Sequence, residues 1–292
     1  MEKTRPGRCA LCCQTKELQL SHIVPHFVGR KLIKTSPGNI RSSNEPNRTI
    51  QDIFKQYMLC SDCEERFSAK ETWFANHIFS PYIDKKEKAF SYDEKLTYFI
   101  VSVSWRTLHI DLEKFSQDPL FNKDSLMILF RAEQTMREYL LGKRTDLEAI
   151  QNHIFFLDYV QSAPSLDSSM NPNVVMHRTI SSYSVCDGKT LFTVSNLMGI
   201  LIVTFYSMDT SENWVNTKIE LGNGLLKAEN QHMTSVVGNE IQYWMEQGAA
   251  AQQNLSEKQR KKIEDKMRAL GDDILKYPII QDLFADFELE EE

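Results

Sequence analysis

The chain has 292 residues, 41% of them hydrophobic, and a formal net charge of −6, which is typical of a folded globular protein and excludes a disordered or fibrous one. Residues 1–90 contain 15 Lys/Arg and 10 Asp/Glu, whereas the remainder contains 19 and 30; a basic N-terminal part is typical of a nucleic-acid-binding region, with ordinary solvated surface as the alternative. No apolar segment follows the N-terminus and no apolar run approaches the ~20 residues of a membrane span, so we expect a soluble, cytoplasmic protein without membrane association.

The first predicted unit covers residues 1–90 and places short elements between two cysteine pairs. The predicted order is a knuckle at 9–12, a strand over 17–25, a helix over 26–33, a loop over 35–48, an approach to the second knuckle over 50–59 and a helix over 61–79. Pro81 and a run of charged residues over 84–88 predict a boundary at 80–90.

The second predicted unit covers residues 91–292 and separates helices from strands along the chain. Helices are predicted over 92–115 and 125–141, strands over 152–160, 174–186, 189–195, 198–206 and 214–221, and helices again from about 231, including 256–270. Asp187-Gly188 predicts a hairpin turn between two of the strands. This segregation predicts an α+β fold, in which a small N-terminal module precedes a larger helical and antiparallel-sheet body.

The cysteine pairs have the spacing of a metal site. Cys9-Ala-Leu-Cys12 and Cys60-Ser-Asp-Cys63 supply four thiols in two Cys-x-x-Cys knuckles. Four thiolates bind zinc tetrahedrally and leave no position for a substrate, so we expect a structural zinc ion. The clustering favours metal over disulfide bonds and a reducing compartment.

The two knuckles, the string Ser21-His22-Ile23-Val24-Pro25 between them and Leu59 before the second knuckle resemble the zinc-stabilised HNH endonucleases. The resemblance covers roughly residues 9–80 and implies a treble-clef, ββα-metal fold. It also implies cleavage of phosphodiester bonds in DNA, as in bacterial defence or mobile-element effectors. The chain departs from the family pattern at Ser21, where Asp is common, and Gln56 or Asn47 stands nearest to the family's Asn.

The resemblance implies that His22 is catalytic and that a Mg²⁺ or Mn²⁺ ion supports it. A neutral imidazole takes a proton from water near neutral pH, and a divalent ion stabilises the charge that develops on phosphate. Carboxylates on the helix after Cys63 would have to replace the missing Asp, and Glu64 is the predicted catalytic one, with Glu71 and His77 further along. A capping box formed by Ser61 and Glu64 is the alternative for Glu64.

Three functions remain open at this point. The first is the nuclease, whose body would regulate it, sense a trigger, bind a protein partner or form a homo-oligomer. The second is a non-catalytic zinc module that binds nucleic acid, with an oligomerising or partner-binding body. The third is an enzymatic site within the body, for which Cys186 and His177 are the weak candidates. Basic residues near His22 would contact phosphates in the first two cases: Arg30, Lys31, Lys34, Arg41 and Arg48.

Overall fold

Helices and antiparallel sheets occupy separate stretches of the chain, as the sequence predicts for an α+β fold. The computed structural model describes residues 4–162, 167 and 170–290. The described α-helices are α1 (His26–Lys34), α2 (Ser61–Phe74), α3 (Ser80–Lys85), α4 (Glu94–Gln117), α5 (Lys123–Leu140), α6 (Pro172–Arg178), α7 (Val237–Gln253), α8 (Glu257–Leu270) and α9 (Pro278–Glu290). A π-helical turn (Ala75–Phe79) joins α2 to α3, and a 3-10 helix (Gly271–Lys276) precedes α9.

Within the described residues, the strands form five antiparallel groups. They are β1 (Thr4–Arg8), β2 (Thr15–His22), β3 (Ile40–Arg41), β4 (Thr49–Ile50), β5 (Lys55–Cys60), β6 (Ala89–Tyr92), β7 (Gln151–Phe156), β8 (Ile180–Asp187), β9 (Thr190–Leu197), β10 (Ile200–Ser207), β11 (Asn213–Val215), β12 (Lys218–Ile219), β13 (Gly224–Lys227) and β14 (His232–Thr234). A three-stranded sheet has the order β1-β2-β5, and a five-stranded sheet has the order β12-β7-β10-β9-β8. The pairs β3-β4, β6-β13 and β11-β14 complete the pattern.

Helix α4 packs against α2 of the N-terminal region and against the five-stranded sheet. It begins at Asp93, whose side chain accepts a hydrogen bond of 2.9 Å from the Lys95 amide, and most of its length is buried. One apolar cluster contains Cys9 and Phe67 from the N-terminal region together with Trp105 of α4. The burial of this shared apolar surface stabilises the N-terminal sheet on the body.

The segment predicted as a boundary is ordered secondary structure. Helix α3 and strand β6 occupy most of residues 80–92, and β6 pairs with β13 far along the chain. The apolar clusters extend across residue 90. The division into units 1–90 and 91–292 stays a prediction.

Most predicted elements of the body are confirmed, and one strand prediction is wrong over its first residues. The hairpin at Asp187-Gly188 joins β8 to β9, with Asp187 opposite Thr190 and φ of 59° at Gly188. The strand predicted over 174–186 is helix α6 followed by β8. Its apolar run Val174-Val175-Met176 favours a strand locally. However, the Asp286 carboxylate of α9 accepts hydrogen bonds from the amides of Asn173 and Val174, at 2.8 and 3.0 Å, and so caps a helix there.

Two further boundaries differ from the predictions. The strand predicted over 214–221 is split into β11 and β12, which belong to different sheets. The helix predicted over 61–79 ends as α-helix at Phe74 and continues as the π-helical turn. Among the helices of the described ranges, none combines the length and the apolar character that crossing a bilayer requires.

Candidate functional site

The four predicted metal-binding cysteines come together between the N-terminal sheet and α2. Cys9 and Cys12 lie in the turn between β1 and β2, Cys60 ends β5, and Cys63 lies in the first turn of α2. Their sulfur atoms all lie within 4.8 Å of one another, and all six cysteines are free of disulfide bonds. The sheet pairing of β2 with β5 produces this proximity, because it places Leu18 opposite Cys60.

The cluster fits a tetrahedral zinc ion. Four sulfurs at about 2.3 Å from one ion lie about 3.8 Å apart, and the Cys12 and Cys60 sulfurs are 3.8 Å apart. A hydrogen bond from Cys63 lowers the pKa of Cys9 to about 4, against the opposing effect of burial and with help from backbone amides. The four residues would hold the ion and supply folding free energy, with no open position for chemistry.

His22 ends β2 and is held by a residue that the sequence did not indicate. The His22 Nε2 atom lies 3.1 and 3.0 Å from the two carboxylate oxygens of Asp52. The ring of His26, the first residue of α1, stacks on the ring of His22 with centroids 4.6 Å apart. The nearest ligand atoms of His22, His26 and Asp52 all lie within 4.8 Å of one another.

The Asp52 carboxylate is ionised over the whole physiological pH range. Burial raises its pKa, but hydrogen bonds and charge from Lys55 and His22 exceed that effect and lower the pKa to about 2. Lys55 donates to Asp52 at 2.9 Å, and the amide of Ile53 donates to the other carboxylate oxygen at 2.9 Å. The carboxylate therefore has a fixed orientation toward the two histidines.

Asp52 lies in a short segment just before β5, and no local pattern marks it. A pairing of the two strands of the implied ββα fold would have been the signal. Since β2 and β5 pair with His22 opposite Lys55, the residues just before β5 come to lie beside His22.

The structure places Glu64 near His22 but outside this ligand set. Burial raises the pKa of the Glu64 carboxyl, and the nearby Ser21 hydroxyl and the Arg106 charge oppose that effect. One Glu64 oxygen is buried without a hydrogen bond from the described residues. The alternative capping box does not form, because Cys60 is the N-cap and its amide donates to the Cys9 sulfur at 3.4 Å.

A buried arginine of α4 connects the body to the His22 region. Arg106 is 1% exposed, and its Nη1 atom donates to the backbone carbonyl of His22 at 2.8 Å. Its Nε atom donates to the carbonyl of Ser102 at 3.1 Å. The Nη2 atom lies 2.8 Å from a Glu71 carboxylate oxygen, an ion pair without hydrogen-bond alignment. Glu71 is thus engaged by Arg106 and does not join the histidines.

The other predicted polar candidates are engaged elsewhere. Asn47 donates to the carbonyl of Asn254 at 2.9 Å and accepts from the amide of Ser256 at 2.8 Å, which ties the loop to the start of α8. Gln56 lines a surface cleft with Arg137 and other residues. His77 is exposed and stacks on Trp73.

The two candidates in the body, His177 and Cys186, do not form a site together. His177 belongs to α6. One of its ring nitrogens lies 3.1 Å from the Asp282 carboxylate of α9, and the other lies 2.9 Å from the carbonyl of Leu157. Cys186 is exposed near the end of β8. Neither residue belongs to a group of potential metal ligands within the described part of the chain.

Helix α1 presents a basic stripe that begins at the histidines. His26, Arg30 and Lys34 are spaced four residues apart, so they share one helix face, and all three are exposed. Arg30 and Lys34 form no ion pair with any residue of the described ranges, whereas Lys31 pairs with Asp84. Phe54 is 64% exposed, and its carbonyl accepts a hydrogen bond from the Ile23 amide, so the main chain of this exposed aromatic residue lies beside the end of β2.

Comparisons with protein-family models, with curated proteins and with solved structures gave no match to this chain.

Proposed function

We propose that this protein is a metal-dependent endonuclease that hydrolyses phosphodiester bonds in DNA, with its chemistry at His22. The scaffold would be a zinc-stabilised ββα-metal, treble-clef module of the HNH type. The observation that carries the proposal is the His22 ring at the end of β2, oriented by the ionised Asp52 carboxylate on a hairpin anchored by the four cysteines.

The position of His22 suits catalysis more than packing. Its side chain is 21% exposed and therefore within reach of water. An imidazole there acts on a reacting water either by taking its proton or by holding a divalent ion that makes the water more acidic. Both roles require a fixed ring, and Asp52 together with the backbone anchor from Arg106 supplies it.

The surroundings of His22 suit an anionic polymer. Arg30 and Lys34 extend from the site along α1 as unpaired cations, which is the pattern that contacts successive phosphates. The exposed Phe54 ring offers a face on which an unpaired base can stack. These features support nucleic acid as the substrate class.

The first test is cleavage of supercoiled plasmid DNA by the full chain with Mn²⁺, Zn²⁺ or Mg²⁺ added. We expect His22→Ala to lower the cleavage rate by at least about 100-fold, since a positioned acid–base group contributes about 10²–10⁴. His77→Ala is the matched control, because His77 is exposed on the turn after α2 and touches none of the three residues at the site.

Equal cleavage by the parent and by His22→Ala would remove His22 from the mechanism. A second outcome is that the parent cleaves no DNA with any of the divalent ions but binds DNA as tightly as His22→Ala does. The non-catalytic zinc module that binds nucleic acid would then be the better proposal.

A second test addresses the basic stripe. The double variant Arg30→Ala/Lys34→Ala should bind DNA more weakly at every sequence. The slope of log affinity against log salt should fall by about 2, one for each lost phosphate contact. Lys123→Ala/Lys143→Ala is the control, since both lysines are exposed, Lys123 begins α5 and Lys143 follows it. An unchanged salt slope in the stripe variant would exclude these two residues from the interface.

A further inference from the structure

We propose that His22, His26 and Asp52 form a second metal site, which binds a divalent transition-metal ion through two imidazole nitrogens and one carboxylate oxygen. Their nearest ligand atoms lie within 4.8 Å of one another at one accessible position. The catalytic meaning of this site rests on the proposed function, whereas the binding of the ion does not.

The chain path brings the two histidines to the same side. His22 is the last residue of β2, His26 is the first residue of α1, and Pro25 before it has φ −54° and ψ 136°. This extended proline turns the chain from strand into helix. The two rings consequently stack at an interplanar angle of 13°, and both Nε2 atoms lie near the Asp52 carboxylate.

The distances are close to those of a bound state. Ligands at about 2.0–2.1 Å from one ion lie about 3.0–3.4 Å apart. The His22 and Asp52 atoms are already 3.0 Å apart, and the His26 Nε2 atom is 3.9 Å from Asp52. The side chain of His26 is 49% exposed, so it has room to approach. Closing the site therefore requires His26 to approach and the two stacked rings to turn their Nε2 atoms toward one ion.

Neighbouring groups fix the orientation of the Asp52 carboxylate. The Ile53 amide donates to Asp52 Oδ1, and the Lys55 ammonium donates to Oδ2. Hydrogen bonds of this kind from outer groups orient metal-binding carboxylates. Because the set supplies three protein ligands, positions remain for water and for a phosphate oxygen, in contrast to the closed four-cysteine site.

The donor set selects the kind of ion. The two imidazole nitrogens suit Zn²⁺, Co²⁺ or Fe²⁺, and the carboxylate allows Mn²⁺ to bind as well, whereas Mg²⁺ prefers a set made of oxygen ligands alone. When bound, such an ion supplies an acidified water and stabilises charge on phosphate. His22 then acts as a ligand and not as the general base.

The experiment is a titration of the full, zinc-containing chain with Mn²⁺, in which free Mn²⁺ is counted by electron paramagnetic resonance. We expect one Mn²⁺ bound per chain, with little competition from Mg²⁺. His26→Ala and Asp52→Asn should each weaken Mn²⁺ binding by at least about 100-fold, since even outer partners of a metal site account for about 10- to 100-fold. His77→Ala should bind as the parent does.

Two further measurements show that the variants remain folded and locate the ion. The cysteine-bound zinc, measured by elemental analysis, should stay at one per chain in all variants. In the parent, Mn²⁺ should broaden the NMR signals of His22 and His26 and leave those of His177 and His232 sharp.

Absence of Mn²⁺ binding, or parent-like binding by His26→Ala, would overturn the site. His22-dependent cleavage without a second ion would keep the nuclease and remove this inference. Mn²⁺ binding without cleavage of DNA would keep the site and remove the nuclease.

Discussion

Replacement of Cys60 by alanine is expected to release the bound zinc and to lower the free energy of unfolding by more than about 4–5 kcal/mol, beyond the usual range of a point substitution. Cys60 is 1% exposed, its sulfur lies 3.8 Å from that of Cys12, and its backbone amide donates to the Cys9 sulfur. The three remaining thiols cannot hold the zinc ion in a closed four-sulfur site. Because a structural zinc ion contributes its binding free energy directly to folding, its loss lowers the stability of the protein.

Zinc content by elemental analysis and thermal unfolding measure this effect. Cys186→Ala is the matched control, because Cys186 is exposed near the end of β8, outside the cluster; it should retain zinc and stability. A Cys60→Ala protein that retains one zinc per chain would contradict the four-thiolate assignment.

Arg106→Met is the second substitution with a large expected effect, a loss of about 3–5 kcal/mol in the free energy of unfolding. The guanidinium is almost fully buried and is the ion-pair partner of Glu71, whose side chain is 20% exposed. Its removal leaves a largely buried carboxylate without compensation and deprives the carbonyl of His22 of its donor. The nearly isosteric methionine fills the volume, so the loss reports on charge and hydrogen bonding.

A double-mutant cycle separates these contributions. Adding Glu71→Gln to Arg106→Met should recover part of the lost stability, because the uncompensated charge is then absent. Arg106→Lys retains the charge, but its single ammonium nitrogen cannot reach all the partners that the three guanidinium nitrogens contact. The His22 imidazole signals of this variant should therefore still differ from those of the parent in an NMR titration. Additive losses in the cycle would show that the Arg106–Glu71 pair does not couple.

The sequence predicted which four cysteines come together, because that signal is local. Two Cys-x-x-Cys knuckles already fix which sulfurs can converge, and the sheet only has to bring the knuckles together. The hairpin at Asp187-Gly188 and the helices α4 and α5 were predicted for the same reason, since turn chemistry and apolar periodicity are read from neighbouring residues.

The site around His22 could be predicted only in part, because its partners come from distant sequence. Asp52 is 30 residues away and Arg106 is 84 residues away, and both are selected by packing rather than by a motif. Helix α6 was missed for a related reason: the carboxylate that caps it, Asp286, lies more than 110 residues further on. In each case tertiary contacts override the local preference.

The hydrogen bond from Arg106 to the His22 carbonyl limits which segment of the chain could be moved into another protein. A fragment ending at residue 90 would contain the cysteines and the histidines but would lose the donor that fixes the end of β2, along with Trp105 from the shared apolar cluster. Any graft onto another protein would therefore have to extend at least through α4, to residue 117. Recombination that joins this N-terminal module to a different body would have to carry α4 along with the module.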